Sequence, residues 1–368
     1  MHLKNLTVAN FKNITEAVLD FSPRLNCLIG DNGAGKTNVL DALYYLSFTK
    51  SFFIPVDQMN VRHSESWFML KGIYERSGNE EQIICSFQEG QKKQVKRNSK
   101  AYRRMAEHIG LLPLVMVSPN DAALITGGSE ERRKFMDGVI SQFDPDYLEN
   151  LIRYNRVLLQ RNNYLKQISQ GWHPDPDMLE LYDEQLAESG GKIHDRRQEF
   201  VTRLIPVFQE FYASISREAE NVGLTYLSGL EGKSYSQALK DSLQRDKNLQ
   251  YTTAGIHKDD LVLTLDNFPI RKLGSQGQQK TYLIALKLAQ SEFIRSVSGI
   301  KPILLLDDIF DKLDKNRVEQ IVKMVEGDQF GQIFITDTNR EHLDKILERV
   351  TARYMIFKVS KGLINALK

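Results

Sequence analysis

Within the run GDNGAGKT, Gly30, Gly35, Lys36 and Thr37 occupy the positions of the pattern G-x-x-x-x-G-K-[ST] in a chain of 368 residues. The run follows the apolar stretch LNCLIG and opens onto NVLDALYYLSF, so a strand delivers it and a helix starts from it. Glycines there let the backbone N–H groups of Gly30, Asp31, Asn32, Gly33, Ala34 and Gly35 wrap phosphate oxygens, and the helix N-terminus adds a field that favours an anion. Lys36 is placed to reach the β- and γ-phosphates of a nucleotide, Thr37 to ligate Mg²⁺, and Asn38 to complete the cradle. The cofactors expected are ATP and Mg²⁺.

A second segment, ILLLDDIFDKLD at 303–314, supplies acids. Its four apolar residues predict a buried strand with Asp307 and Asp308 at the carboxyl end. Asp307 can hold Mg²⁺ through water, and Asp308 can orient or deprotonate an attacking water. A solvated acidic turn is the plain alternative, and the apolar run before the acids argues against it. In LGSQGQQKTYLIALKLAQ, Ser275 stands where an N-cap belongs, before a long apolar-striped helix. Gly277 leaves room for close approach, and with Gln278 the three residues form a second anion site at a helix start. A capped surface helix would look the same in isolation.

QKKQVKRNSKAYRR, residues 91–104, carries seven cationic side chains and no acid. It reads as a hairpin turning at Asn98-Ser99, with Lys92, Lys93, Lys96 and Arg97 as candidate contacts to the phosphates of DNA. Such a ribbon would follow the backbone, not read bases. The same charges also suit an edge hairpin kept soluble by lysines.

These groups need elements to hold them. Residues 2–30 read as short strands, 38–48 as an apolar helix, 67–103 as strands leading into the basic piece, and PLVMVSP at 113–119 as a buried strand stopped by proline. Residues 129–215 are long, charged and periodic, broken at GWHPDPD (171–177). An αα hairpin or small helical lobe is expected there, with Leu148, Leu151, Leu158 and Leu165 at heptad spacing and Asn155 and Asn162 between them. Strands return from 223, followed by alternating helices and strands. Three segments follow: 1–128, the first part of a nucleotide-binding lobe with its β subdomain; 129–215, a helical insertion; and 216–368, the rest of that lobe.

Composition narrows the class. With 41% hydrophobic and 26% charged residues and no run of 18 apolar residues, no membrane span is expected, and the N-terminus lacks the layout of a signal peptide. Two cysteines are too few for a disulfide framework, which suits a reducing cytoplasm. The seven histidines never pair with cysteine at ligand spacing, so no zinc site is expected.

Ser275, Gly277 and Gln278 resemble the signature loop of ABC ATPases, with Gln276 shifting the usual serine-glycine-glycine-glutamine order. In that class the loop touches the γ-phosphate held by a second subunit. A separation of 239 positions between Lys36 and Ser275 is longer than in transporter ATPases and far shorter than in chromosome-organising members. The intermediate gap resembles that of the RecF family of bacterial recombination-repair ATPases. NFKN at 10–13, VSPND at 117–121, GGSEERRKFMD at 127–137, YNRVLLQRNNYL at 154–165 and GIHKDDL at 255–261 agree, so the likeness runs over nearly the whole chain.

The resemblance implies an α/β fold: an ABC-type P-loop ATPase head with an antiparallel β subdomain and a helical insertion lobe. It implies an ATP-induced homodimer on gapped or single-stranded DNA, with slow, DNA-stimulated hydrolysis. Its place would be recombinational repair, replication restart and the SOS response, helping recombinase loading with mediators of the RecR and RecO kind. One rival is a non-catalytic clamp in which ATP only cements the dimer. A transporter-type ATPase is disfavoured by the large insertion and by Thr336, Asp337 and Thr338 where transporters carry a switch histidine. Asn120 resembles the position that senses the γ-phosphate in other ABC ATPases. The chain departs from the family at Lys12, Ile256 and Lys258. SFFIPVDQMNVRH also lacks the family's serine-histidine-arginine run, so no role of that run carries over.

Overall fold

The computed structural model describes residues 1–170, 175–216, 220–230, 232–310, 313, 315–327, 329–338 and 353–367. Its contacts divide the chain into two units, residues 1–121, 210–218 and 276–368 in the first, 122–209 and 219–275 in the second. The helical stretch expected over 129–215 lies mostly in the second unit, which also takes in the strands and helices of 219–275.

The first unit contains two sheets. β1 (His2–Phe11), β2 (Ile14–Asp20), β4 (Trp67–Arg76), β5 (Asn79–Gln88), β6 (Gln94–Arg97) and β7 (Lys100–Ala101) make an antiparallel sheet in the order β2-β1-β4-β5-β6-β7. β3 (Leu25–Ile29), β8 (Leu114–Val117), β12 (Ile303–Asp307), β13 (Ile333–Asp337), β14 (Tyr354–Ser360) and β15 (Leu363–Ala366) make the other, in the order β15-β14-β3-β13-β12-β8, parallel except for β15. β12 and β13 are buried at every position, which is why both read as continuous apolar runs and not as alternating ones.

Helix α1 (Lys36–Phe48) packs against strands of both sheets. Val39, Leu40, Leu43 and Leu46 are fully buried in the shared core with Leu6, Phe68, Met116 and Leu305. Each such side chain contributes roughly 1.5–3 kcal/mol on burial. The helix is therefore fixed from both sides, which fixes the loop in front of it. Helices α8 (Gln276–Ser298) and α9 (Lys315–Glu326) belong to this unit too.

The second unit contains α2 (Ala123–Thr126), α3 (Ser129–Ile140), α4 (Pro145–Ser169), most of α5 (Pro176–Ser216), α6 (Tyr235–Leu249) and α7 (Ile270–Leu273). Its strands β9 (Val222–Leu227), β10 (Asp260–Leu265) and β11 (Phe268–Pro269) form an antiparallel sheet, β11-β10-β9. Helix α4 starts as its sequence demands, with Pro145 in the first turn and the Asp144 carboxylate accepting the Tyr147 N–H at 2.9 Å. The expected leucine seam is not its buried face. Tyr147, Tyr154, Val157, Arg161, Tyr164 and Leu165 are buried, whereas Asn155 is exposed and Leu148, Leu151 and Leu158 are only half-buried. A polar network described below, not a heptad interface, sets which face turns inward. Of the GWHPDPD break, residues 171–174 lie outside the described residues. No described helix is long and apolar enough to cross a membrane.

Candidate functional site

Strand order brings the two chemical segments together. β3 and β12 both flank β13 and run parallel to it, so the loop after β3 and the acids ending β12 emerge at the same edge of the sheet. Thr37, in the first turn of α1, donates its hydroxyl to the Asp307 carboxylate at 3.0 and 3.1 Å across 270 positions of sequence.

The loop itself is a shaped cradle. Gly35 is the N-cap of α1 with φ of 115°, and no side chain caps the helix. The first N–H groups of a helix have no intrahelical partners, so this end is suited to an anion. A Cβ on Gly35 would meet the Asn13 side-chain oxygen at 2.7 Å, and one on Gly30 would meet the Val359 carbonyl oxygen at 2.2 Å. Only glycine fits at either place. Asp31, Asn32 and Gly33 form the exposed lip of the turn, and Ala34 is buried beneath it. Lys36 is buried, its ammonium donating to the carbonyls of Gly30 (2.8 Å) and Asp31 (3.1 Å). It therefore spans the loop before any phosphate arrives.

A brace behind the loop has no signal in the motif. Asn13, in the β1–β2 turn, donates to the Ala34 carbonyl (3.2 Å) and accepts from the Asn38 side chain (2.8 Å). Gly362 of the β14–β15 turn donates to the same carbonyl at 2.9 Å. Asn38 thus has its amide on Asn13, a positioning contact behind the cradle. NFKN was visible as a run, but not what its last asparagine does.

Asp307 and Asp308 differ in environment. Burial pushes the Asp307 carboxyl above the ordinary carboxylate range, against the hydrogen bonds from Thr336 and Thr37, and the Asp308 charge adds to the rise. The Thr336 hydroxyl donates to Asp307 at 2.8 Å and accepts the Asp308 N–H at 3.0 Å. Thr336 therefore fixes both acids from the position where a switch histidine was sought. Asp308 adopts φ of 45°, a left-handed backbone that turns the chain sharply at the end of β12. One hydroxyl and one carboxylate side by side are the hard oxygen donors Mg²⁺ takes, leaving its other positions to water and phosphate oxygens. The residues present fit the ion.

Ser275 is exposed and immediately precedes α8, in the N-cap position expected of it. Gly277 and Gln278 are half-buried in the first turn, and a Cβ on Gly277 would come within 2.8 Å of the Arg317 guanidinium. Asn120 is exposed in a short turn with its N–H on the Ser118 hydroxyl. Its neighbour Asp121 is buried, paired with Lys287 of α8 at 2.7 Å and accepting the Ser118 N–H at 2.8 Å. That pair ties VSPND to the helix carrying the signature residues, and sequence reasoning passed over it.

The basic hairpin forms where expected, turning at Asn98 and Ser99, both at positive φ. Its charge is less available than its composition suggests. Lys93 donates to the Thr49 carbonyl (2.6 Å), pairs with Asp57 (3.0 Å) and lies over the Tyr45 ring. Arg97 forms a two-pronged pair with Glu81. Lys92 is exposed and Lys96 half-buried, and these two remain as outward charge. Of the four expected contacts, Lys93 and Arg97 are paired with acids, Asp57 of a short 3-10 turn and Glu81 of β5.

The model of the RecF/RecN/SMC N-terminal domain family matches residues 2–364. The chain is 52% identical to the DNA replication and repair protein RecF of Bacteroides fragilis, over all of this chain and 99% of that one. With RecF of Flavobacterium johnsoniae identity is 49%, over 98% of this chain and all of the relative. Among solved structures, the recombination mediator protein RecF with ATP, of the RecFOR pathway, superposes with a TM-score of 0.90 and 31% identity, covering all of this chain and 98% of that one. An SMC head bound to the C-terminal winged-helix domain of ScpA gives a TM-score of 0.60 at 14% identity over 97% of its length, a likeness of fold alone.

Proposed function

We infer function from one premise: the chain belongs to the RecF family of DNA replication and repair proteins. Within the recombination-mediator role of that family, we propose that it is an ATP-dependent DNA-binding protein whose active form is a homodimer. The observation that carries this reading is the Thr37–Asp307 pairing at the uncapped start of α1. It joins a phosphate cradle to a Mg²⁺-type donor set.

In this reading the backbone N–H groups from Gly30 to Gly35 take the phosphate oxygens of ATP. Lys36 exchanges its loop carbonyls for the β- and γ-phosphates. Bound Mg²⁺ would supply charge neutralisation at the phosphates, held from Thr37 and, through water, from Asp307. Asp308 orients and deprotonates the attacking water. Its carboxylate is one methylene shorter than the glutamate of many ABC ATPases, and a misplacement of about 1 Å can cost on the order of a hundredfold. Hydrolysis is therefore slow and accelerates when DNA tightens the assembly. Ser275, Gly277 and Gln278 of a second copy complete the γ-phosphate contacts, so each subunit contributes half of each site, as a closed two-fold dimer allows. Gapped or single-stranded DNA is the substrate surface, and mediators of the RecO and RecR kind are the partners.

Ser275→Arg tests the dimer. It places a bulky cation at the exposed loop while leaving Lys36, Thr37 and Asp307 intact. The variant should bind ATP as a monomer, whereas Lys36→Met should lose both nucleotide and dimer, measured by nucleotide binding and light scattering. Dimerisation of Ser275→Arg with ATP at parental affinity would defeat the composite site.

A further inference from the structure

We propose, on the nucleotide reading given above, that Lys12 and Asp41 are positioning residues for Thr37, and so for the Mg²⁺ expected beside it. Asp41 lies four residues after Thr37 on α1, about one helical turn along the same face. Its carboxylate is fully buried and takes three donors: the Lys12 ammonium at 2.5 Å, the Ser51 hydroxyl at 2.6 Å and the Phe52 N–H at 2.7 Å. The first comes from the β1–β2 turn, the other two from the segment that follows the helix.

The apolar contacts of α1 bury it without fixing its rotation or axial position, because the hydrophobic effect is non-directional. Polar contacts supply the direction. Asn13 accepts from Asn38 at 2.8 Å, and Lys12, the residue before it, reaches Asp41 three positions further along the helix. Two consecutive residues of one turn therefore grip successive levels of α1. That turn is itself fastened, with the Lys12 N–H donating to the Asn60 carbonyl at 2.8 Å and the Lys12 backbone at φ of 52°. On the far side, the Ser51 hydroxyl also accepts the N–H groups of Phe53 and Ile54, at 3.1 and 2.9 Å. The segment thus meets Asp41 as a formed turn.

Burying an ion pair carries a desolvation cost that apolar residues of the same volume would avoid, so stability alone gives no reason for one here. What the pair adds is geometry, since a charge-assisted hydrogen bond is short and directional. The Lys12 ammonium also lies over the rings of Phe53 (5.2 Å) and Phe11 (5.7 Å), so it is held in place and acts on the site through α1. Thr37 needs that accuracy. Its hydroxyl lies 3.0 and 3.1 Å from the Asp307 oxygens, and Mg²⁺ demands near-ideal octahedral geometry with ligands at about 2.0–2.1 Å. The loop ahead of the helix has its own brace, at the Ala34 carbonyl from Asn13 and Gly362. Loss of the Asp41 anchor therefore falls on Thr37 more than on the phosphate cradle.

Lys12→Met with Asp41→Asn removes the pair, nearly keeps its volume and strands no buried charge. ATP binding to the full chain is measured by calorimetry across a Mg²⁺ titration and again in EDTA, with thermal melting to confirm the fold. The Mg²⁺ midpoint should rise about tenfold, the low end of the range for groups that orient a metal's ligands, because a helical turn intervenes. ATP without Mg²⁺ should bind within about twofold of the parent. Ser51→Ala, which takes away one of the three donors and strands no charge, should raise the midpoint about twofold. On a Thr37→Ala background the double change should shift it no further. A parental midpoint in the folded double variant overturns the proposal, as does an equal shift on the Thr37→Ala background or an equal loss of Mg²⁺-free ATP. A parent whose ATP binding ignores Mg²⁺ would defeat the nucleotide reading itself, a result no variant can mimic.

Discussion

The cradle of the first unit and the core of the second handle buried charge in opposite ways. In the cradle, Thr37 holds Asp307 and Lys36 holds the loop carbonyls, each with capacity left for a ligand. In the second, buried arginines are paired with acids of the same unit. Arg197 of α5 donates to Asp137 (2.9 Å), the Ile256 carbonyl (2.8 Å) and Asp259 (3.3 Å), and the Tyr226 hydroxyl also donates to Asp259. Arg161 is buried between Asp183 (2.6 Å) and Asp246 (2.7 Å). Tyr154 bridges Tyr235 and the His257 ring, whose other nitrogen donates to the Thr252 carbonyl. GIHKDDL belongs to the second kind. Its His257 and Asp259 knit α4, α5, α6 and β9 together inside one unit, a holding role and not a chemical one.

The sharpest way to separate the two kinds of charge is to neutralise one acid of the cradle. Asp308→Asn keeps a residue that tolerates the left-handed backbone and removes only the base. ATP turnover should fall by about 10²–10⁴-fold with nucleotide affinity unchanged, measured by steady-state hydrolysis and equilibrium binding. Turnover near the parental rate would remove Asp308 from the chemistry and leave ATP as a cement for the dimer.

Breaking the closed network should cost folding instead. Arg197→Met leaves Asp137 and Asp259 buried without their cation, a loss of about 3–5 kcal/mol in denaturant unfolding. ATP binding by the folded fraction should not change. A smaller effect follows from pH. Burial, with Lys258 and Arg133 nearby, pushes His257 down from 6.5 to about 4, against the Thr252 hydrogen bond. Above pH 6.5 the ring is neutral whether folded or unfolded. Between 6.5 and about 4 only the unfolded chain takes the proton, so stability drains away as pH falls through that window, by roughly 3 kcal/mol in all. His257→Gln should flatten the dependence of the melting temperature across it, and an equally steep variant would place the loss elsewhere.

The basic hairpin sits between the two regimes and gives the smallest effect. Lys92→Gln with Lys96→Gln should weaken DNA severalfold and reduce the salt slope by about two, at roughly 0.9 for each phosphate a lysine neutralises. Lys93→Gln with Arg97→Gln should instead lower stability, because Asp57 and Glu81 lose their partners. An identical fall in DNA affinity for both pairs would restore the simpler view of a uniform ribbon.

What could be read beforehand depended on how local the cause was. The cradle was legible because Gly30 to Thr37 are contiguous in one strand–loop–helix turn. Asp307 was legible because an apolar run announces the strand that ends in it. Thr336 was not: its contact with Asp307 follows from the parallel register of β12 and β13, which no single segment states. Asn13 and Gly362 brace the loop from more than 20 and more than 320 positions away. The charges of 91–104 were counted correctly, but the pairing of Arg97 with Glu81 and of Lys93 with Asp57 depends on β5 and on a short turn at 57–60, which the run itself does not state. The α4 seam was misjudged for a related reason, since a buried arginine with partners can define an inward face as firmly as leucine does.

The place of β3 has a consequence for how this protein is made. Its two neighbours in the sheet are β13 and β14, both translated more than 300 residues after it. At roughly 5–20 residues per second, the buried strand that delivers the cradle spends on the order of 15–60 s outside the ribosome with both edges unpaired. Gly362 and Asp307 are late as well, so no nucleotide can steady the nascent chain through that interval. Biogenesis therefore rests on holding an adhesive early strand out of trouble until the last strands arrive. A ribosome stalled before β13 should present a chain that chaperones grip and ATP does not.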